Sequence, residues 1–239
     1  MSKKFLKSGS KIFSSSNKIF FSKEPTTVGL VGWWRFDSTS GTVAIDSSGN
    51  GNNGTLLNMT NDDWVSGAFG NALDFDGIDD GVRVPDPAGG ELDPSLITLS
   101  IWMKRTSVQP AWGRLFNKSS GLSSHDGYQM YLWDTTGRVG FYLRNGGSTT
   151  GDIDTGWTTP ADTWTHVALT YDGSNVRVYG GGILRKTHSY TGGIGNSPIH
   201  LSFGYDSHWD DGVYRGLFDD VRIYNRPLDI GEIQEINIG

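Results

Sequence analysis

Asp46-Ser47-Ser48-Gly49-Asn50-Gly51-Asn52-Asn53-Gly54 runs for nine residues without one apolar side chain, between two segments that read as strands. Such a run adds nothing to a core, so its oxygens need another explanation. Asp46, Ser48 and Asn50 stand at alternate positions, Gly51 is sixth, and the carbonyl of Asn52 falls seventh. This is the oxygen spacing of the first half of an EF-hand-like loop, with Gly at the sharp turn. The twelfth position is Leu57, which supplies no bidentate carboxylate. A calcium ion held here therefore needs a second acid from elsewhere. The candidate is the Asp219-Asp220 pair, in a strand-like run near the other end of the chain. Such an ion would tie the first strand of the body to the last. The other reading of the same residues is a Gly/Asn hairpin turn that binds nothing.

Around this loop, 239 residues suffice for one large all-β domain. The absence of cysteine excludes disulfides and cysteine metal sites. No stretch approaches the roughly 20 apolar residues that span a bilayer, and the N-terminus lacks the apolar core of a secretory signal; neither membrane insertion nor export is expected. The net charge of −6 is segregated: residues 1–24 carry six lysines against Glu24, a net of +5, which leaves −11 on the rest. A basic tail can mean nucleic acid, but this one has no arginine and sets its lysines among Ser and Ile-Phe pairs, so no nucleic-acid partner is expected.

That tail contains a small repeat, Ser-Gly-Ser-Lys-Ile-Phe ending at Phe13 and Ser-Ser-Asn-Lys-Ile-Phe ending at Phe20. Phe5, Leu6, Ile12, Phe13, Ile19, Phe20 and Phe21 are too many apolar groups for a solvated tail and too few for a core of their own. They must be buried against something. Either the arm adds a strand to its own domain, or it pairs with the open sheet edge of a neighbour, its lysines meeting an acidic surface. The second is the expectation, with an assembly arm over residues 1–28 and a domain over 29–239. The partner is another copy of the chain or a different structural protein.

The body reads as about twelve short strands, among them 30–36, 71–77, 97–104, 127–133, 164–171 and 217–225, separated by turns such as Thr136-Gly137 and Asp172-Gly173. This spacing predicts an all-β, two-sheet antiparallel sandwich with an extended N-terminal arm. Only residues 228–236 predict a helix, a short one, with Pro227 at its entrance and Asp229 as cap.

Gly-Leu-Val-Gly-Trp-Trp-Arg-Phe-Asp from Gly29, the Asp46 loop, Ala-Leu-Asp-Phe-Asp-Gly from Ala72, Leu-Ser-Ile-Trp-Met-Lys from Leu99, Trp-Thr-His-Val-Ala-Leu-Thr-Tyr-Asp-Gly from Trp164 and Phe-Asp-Asp-Val-Arg-Ile-Tyr-Asn-Arg-Pro-Leu from Phe218 follow one another in this order. Over about residues 29–237 the chain resembles a laminin-G-like, concanavalin-A-like jelly-roll domain. The resemblance implies a jelly roll in which the Asp46 loop and the last strand commonly hold a structural calcium. Carried over residue by residue, it places Asp46, Asn50 and one of Asp219 or Asp220 on the ion, with Ser48 and the Asn52 carbonyl as weaker ligands.

Fold does not give function. A retaining glycosidase needs two carboxylates about 5–5.5 Å apart, and no strand carries a Glu-x-Asp-x-x-Glu arrangement. No Ser-His-Asp constellation is legible either, and a non-enzymatic protein is expected. Glycan binding needs an aromatic platform flanked by polar groups. Tyr205, His208, Trp209 and Asp210 have that composition, and Trp112 joins them from another loop; Trp209 could equally plug the end of the sandwich. A β-module of extracellular type without an export signal fits a subunit that assembles in the cytoplasm. The leading expectation is therefore a structural or surface-decoration subunit of a virion or extracellular filament, anchored by its arm and displaying a calcium-stabilised jelly roll. The alternative is a lectin-like carbohydrate-binding or adhesion module.

Overall fold

The computed structural model describes residues 26–119, 126–206 and 212–238, and residues 10–15 and 18–23 by their backbone alone. Along the chain come β1 (Ser10–Ser15), β2 (Lys18–Lys23), β3 (Leu30–Trp34), β4 (Val43–Ala44), β5 (Gly54–Leu57), β6 (Trp64–Ser66), β7 (Asn71–Asp76), β8 (Gly81–Val84), β9 (Ile97–Arg105) and β10 (Gly113–Lys118). There follow β11 (Gly127–Leu132), β12 (Arg138–Asn145), β13 (Ser148–Thr149), β14 (Ile153–Thr158), β15 (Thr165–Tyr171), β16 (Asn175–Gly180), β17 (Ile183–Ser189), β18 (Leu201–Phe203), β19 (Arg215–Tyr224) and the helix α1 (Ile230–Ile236). One sheet has the order β13-β12-β11-β10-β18-β8-β5-β4, with β14 also on β12. The other runs β17-β16-β15-β9-β19-β7-β6, with β3 also on β19. All pairings are antiparallel, and the expected sandwich with one short C-terminal helix is what forms.

Alternation explains how the sheets close on each other. In β9, Ile97, Leu99, Ile101 and Met103 are buried in the core between the sheets, while Thr98, Ser100 and Trp102 take the outer face. Leu73 and Phe75 of β7, Met130 and Leu132 of β11, and Val167 and Leu169 of β15 repeat the pattern. Fully burying each such side chain is worth on the order of 1.5–3 kcal/mol. The outer face of the β9–β15–β19 sheet is covered too. Ile233 and Ile236 of α1, with Leu228, pack on Ala168, Tyr179 and Tyr224. Asp229 caps α1 by accepting the Glu232 N–H at 2.9 Å, and Glu232 accepts the Asp229 N–H at 3.0 Å, a reciprocal box that fixes the helix start.

β19 carries the one irregularity on which the second sheet turns. Asp219 faces Trp102 and Arg222 faces Ser100, so β19 advances three residues while β9 advances two. The extra residue, Asp220, sits at φ 49°. The bulge keeps Phe218, Val221 and Ile223 all in the core, where an unbroken strand would turn Val221 outward. It also changes neighbours: residues 215–218 pair with β7, and 221–224 with β3.

β1 and β2 pair with each other, Ile12 opposite Phe21 and Phe13 opposite Phe20, as a two-stranded sheet that shares no strand with the body among the described residues. The two halves of the Lys-Ile-Phe repeat thus form a hairpin. Phe5 and Leu6 lie outside the described residues.

The bulge leaves Asp219 buried on the outer face, its Oδ2 accepting the Phe69 N–H at 2.8 Å and its Oδ1 without a partner. Burial, reinforced by the Asp220 charge, pushes its carboxyl from 3.8 up to about 7 against the hydrogen bond from Phe69. The folded state therefore keeps a proton that the unfolded chain releases between about pH 4 and 7, and this group's contribution to stability declines as pH rises through that window. In urea unfolding, Asp219→Asn is expected to show a flatter stability profile than wild type from pH 5 to 7.5. Parallel profiles would remove Asp219 as the source.

Candidate functional site

The Asp46 loop is the hairpin connection between β4 and β5, with Ala44 facing Gly54. Its organiser is the Asp46 carboxylate. Oδ1 accepts the backbone N–H groups of Trp33 and Ser48, both at 2.9 Å, and Oδ2 accepts the Ser48 hydroxyl at 2.8 Å and the Asn52 N–H at 2.9 Å. The Asn52 carbonyl accepts the Trp34 indole N–H at 2.8 Å, and the Asn50 amide donates to the carbonyls of Leu30 and Val31. Asp220 accepts the Trp33 indole N–H on Oδ1 at 2.5 Å and pairs with Arg222 through Oδ2 at 2.8 Å.

The loop and the last strand do meet, and the residue between them is Trp33, which donates its backbone N–H to one carboxylate and its indole N–H to the other. As arranged, Asp46, Ser48, Asn50, Asn52, Asp219 and Asp220 do not fit a calcium ion. Both Asp46 oxygens accept two donors each and the Asn52 carbonyl accepts the Trp34 indole, an Arg222 guanidinium lies beside Asp220, and Asp219 keeps a buried oxygen without a partner. Among the described residues, the acidic side chains whose oxygens converge within 4.8 Å are Asp76, Asp79 and Asp80 of the β7–β8 turn, an exposed cluster for the most part.

An aromatic platform stands on the outer face of the other sheet. In β11, Tyr128, Met130 and Leu132 enter the core, which sends Gln129, Tyr131 and the following Trp133 outward. Gly140 of β12 lies opposite Tyr131, and a Cβ there would sit 2.5 Å from the Tyr131 ring and 3.1 Å from Trp133. Glycine lets both rings settle on the strand. Trp112, just before β10, closes the group at 5.4 Å from Tyr131 and 5.0 Å from Trp133, centroid to centroid. It is 40% exposed and sits at φ 63°, a region bulky residues avoid. Such a conformation persists only where the surrounding structure holds it.

Polar groups border the rings. The Arg114 guanidinium lies 5.3 Å over Tyr131 and is held by Asp206, which also accepts the Asn117 amide at 3.0 Å. Asn117 in turn accepts from Gln129 at 2.9 Å, and the Tyr131 hydroxyl donates to Asp152 at 2.7 Å. Burial and that hydrogen bond push the Tyr131 phenol far above its ordinary range, so it stays neutral.

Of the aromatic residues predicted to hold glycan, Trp112 joins this platform. Tyr205 does not: it is buried, its hydroxyl accepts the Arg83 N–H at 3.1 Å, and it lines a separate cavity of about 310 Å³ with Asn58 and Asp79. His208, Trp209 and Asp210 lie outside the described residues. Tyr131 and Trp133 were missed, although their spacing at i and i+2 in an otherwise apolar strand carried the signal. Ser100 and His166 approach to 2.8 Å, also unforeseen. Burial and the Arg222 charge push His166 down to about 3, and its Nδ1 has no partner, so the pair lacks the acid and the access that would activate a serine.

A family model described as the concanavalin A-like lectin/glucanases superfamily (laminin G type 3) matches residues 75–234. The chain belongs to this superfamily. A sequence comparison with curated proteins finds no match. Among solved structures, this laminin-G-type chain is similar to domain 4 of AbnA, a GH43 extracellular arabinanase from Geobacillus stearothermophilus in complex with arabinotriose, at 22% identity and a TM-score of 0.68, covering 90% of this chain and all of that one. It is similar to the binding domain of Paraclostridial Mosquitocidal Protein 1 (18%, TM-score 0.65), covering 87% of this chain and 52% of that one. A Trypanosoma rangeli sialidase in complex with sialic acid (18%, TM-score 0.60) is covered over 33% of its length by 90% of this chain. The chain thus spans a whole arabinanase domain but about half or less of the toxin and sialidase chains. At these identities the likeness shows the fold.

Within this laminin-G-type fold the Asp46 carboxylate is expected to stabilise through hydrogen bonds. Asp46→Ala strands four donors, each worth about 1 kcal/mol net, and is expected to lower the melting temperature by roughly 8–16 °C in calorimetry. Neither chelator nor millimolar calcium should move the wild-type value. A wild-type melting temperature that rises with calcium, with the rise lost in Asp46→Ala, would make the ion the tie.

Proposed function

We propose that the chain is a non-catalytic carbohydrate-binding module that holds its glycan on the Trp112–Tyr131–Trp133 face, with Trp112 and the half-buried Trp133 meeting the sugar and the buried Tyr131 ring supporting them. The observation that carries this reading is Trp112, an exposed indole kept in a strained backbone conformation against two further rings. Sugar rings present C–H faces that stack on such aromatics, and amide, carboxylate and guanidinium groups at the border hydrogen-bond the hydroxyls. Asp206, Asn117 and Gln129 form a connected buried network beneath the face, so its polar groups are held in place before a ligand arrives. The similarity to an arabinanase domain in complex with arabinotriose supports a glycan ligand, and the similarity to a toxin binding domain supports a role in attachment.

A second reading concerns the arm. The β1–β2 hairpin is a separate two-stranded sheet, and such a hairpin is marginally stable alone in water. Docking on a neighbouring subunit would complete it, which supports a module displayed on a virion or extracellular filament through its first 28 residues. Light scattering of the full chain beside one beginning at Thr26 is expected to show an oligomer in the first and a folded monomer in the second. A full chain that stays monomeric at all concentrations would end the reading of self-assembly.

For the binding face, Trp112→Ala is expected to abolish retention on an immobilised polysaccharide, at least about a tenfold loss of affinity, with the melting temperature within a few degrees because the side chain is 40% exposed and lies outside the core between the sheets. Retention equal to wild type would exclude this face.

A further inference from the structure

Resting on the carbohydrate-binding reading, we infer that the Trp112–Tyr131–Trp133 face selects uncharged glycans and rejects those bearing carboxylate or sulfate groups. Its guanidinium groups are already committed to carboxylates. Recognition of a sialate, uronate or sulfate uses an arginine fork or an ammonium that is open to the anion. Three arginines border the rings, and each is already engaged. Arg114 holds Asp206 through Nη2 at 3.1 Å and Nε at 3.3 Å, and its flat side lies on Tyr131. Arg138 is clamped between Asp134, 2.7 Å from its Nε, and Asp154 on its Nη1. Arg144, farther along β12, lies 3.8 Å from Asp126 and shares the Tyr142 hydroxyl.

The carboxylates outnumber these cations. Asp134, Asp154 and Asp206 balance Arg114 and Arg138 with one charge to spare, and Asp152 at the Tyr131 hydroxyl adds another, a net of −2 around the rings, while the Arg144–Asp126 pair farther along β12 cancels itself. Burial alone would raise Asp134, yet hydrogen bonds from Thr136 and Arg138 outweigh it and hold the carboxyl at about 2. That charge persists through the physiological range. An anionic sugar would meet this border without a counter-charge, and would have to break an existing pair to gain one. A neutral sugar meets stacking surface and hydrogen-bonding groups and gives up nothing in charge. The ligand class is therefore a neutral pentose or hexose polymer.

The full chain, run in affinity electrophoresis through arabinan, xylan, galactan and β-glucan on one side and polygalacturonate, heparin and sialylated glycoprotein on the other, tests this. At least one neutral polymer is expected to retard it, equally at about 20 mM and 500 mM salt. Every acidic polymer should bind at least about tenfold more weakly even at the lower salt. Asp154→Asn, which opens one side of the Arg138 fork, should narrow that gap. Strongest retardation by an acidic polymer, fading as salt rises and lost in Trp112→Ala, would overturn the selection while leaving the binding face in place. No retardation by any polymer would remove the carbohydrate-binding reading itself.

Discussion

The single extra residue in β19 is the constraint from which the rest of the second sheet follows. A strand of alternating residues can present one apolar row to one core. β19 has to serve two partners on the same edge, β7 for its first half and β3 for its second, while remaining paired with β9 on the other. Inserting Asp220 shifts the phase so that Phe218 and Val221 both point inward. It also leaves two carboxylates side by side. One of them, Asp220, is satisfied by Trp33 and Arg222; the other, Asp219, is buried with an oxygen to spare. The instability stored at Asp219 is the cost of a bulge that lets one strand close the sheet against both neighbours.

The same bulge places a side-chain bridge between the ends of the body. Trp33 sits opposite Arg222 in β3, close enough for the guanidinium to lie 4.6 Å from its ring. Its two N–H groups reach in opposite directions, to the hairpin carboxylate and to the bulge carboxylate. A cation between two acids would supply attraction through charge. Here a neutral side chain supplies it through two donors, while Arg222 takes up part of the acidic charge. The bridge is thus built from groups the chain itself provides.

The fold was legible because alternation and turn residues are local properties. Segments such as 97–104 and 164–171 show a core row at every second residue, and Pro227, Asp229 and Glu232 mark the start of α1 in three positions. The strands that escaped reading, β4, β6, β13 and β14 among them, are two to six residues long and mostly half-exposed, so they carry almost no apolar pattern. The Asp46 loop shows where spacing runs out: alternate oxygens serve an ion and a hydrogen-bonded turn equally well. Donors from Trp33 and Trp34 engage Asp46 and the Asn52 carbonyl, and no reading of the loop alone contains them. The platform was hidden for a related reason. Trp112, Tyr131 and Trp133 come from two segments that meet only when β10 pairs with β11, and an aromatic residue in a strand reads as core until register shows which way it faces.

The two outer faces of the sandwich were made unequal, and this restricts where a ligand can go. On the β9–β15–β19 sheet, Trp102 is closed in by Phe69 at 5.3 Å and His166 at 5.7 Å and donates to the last carbonyl of α1, while Ile233 and Ile236 cover the strands beside it. The aromatic and polar residues there are occupied in holding the helix down. On the β10–β11–β12 sheet no helix returns among the described residues; Trp112, from the approach to β10, and the half-buried Trp133 pack against a fully buried Tyr131, so that the Trp112 indole is the ring that reaches solvent. Glycine at position 140 is the complement of that openness. A side chain there would run into the Tyr131 and Trp133 rings, whereas its absence lets them pack down on the backbone, Tyr131 out of solvent and Trp133 partly exposed. One sheet thus gives up its outer face to stability, and the other retains a rigid aromatic surface on which a flat, neutral ring can rest.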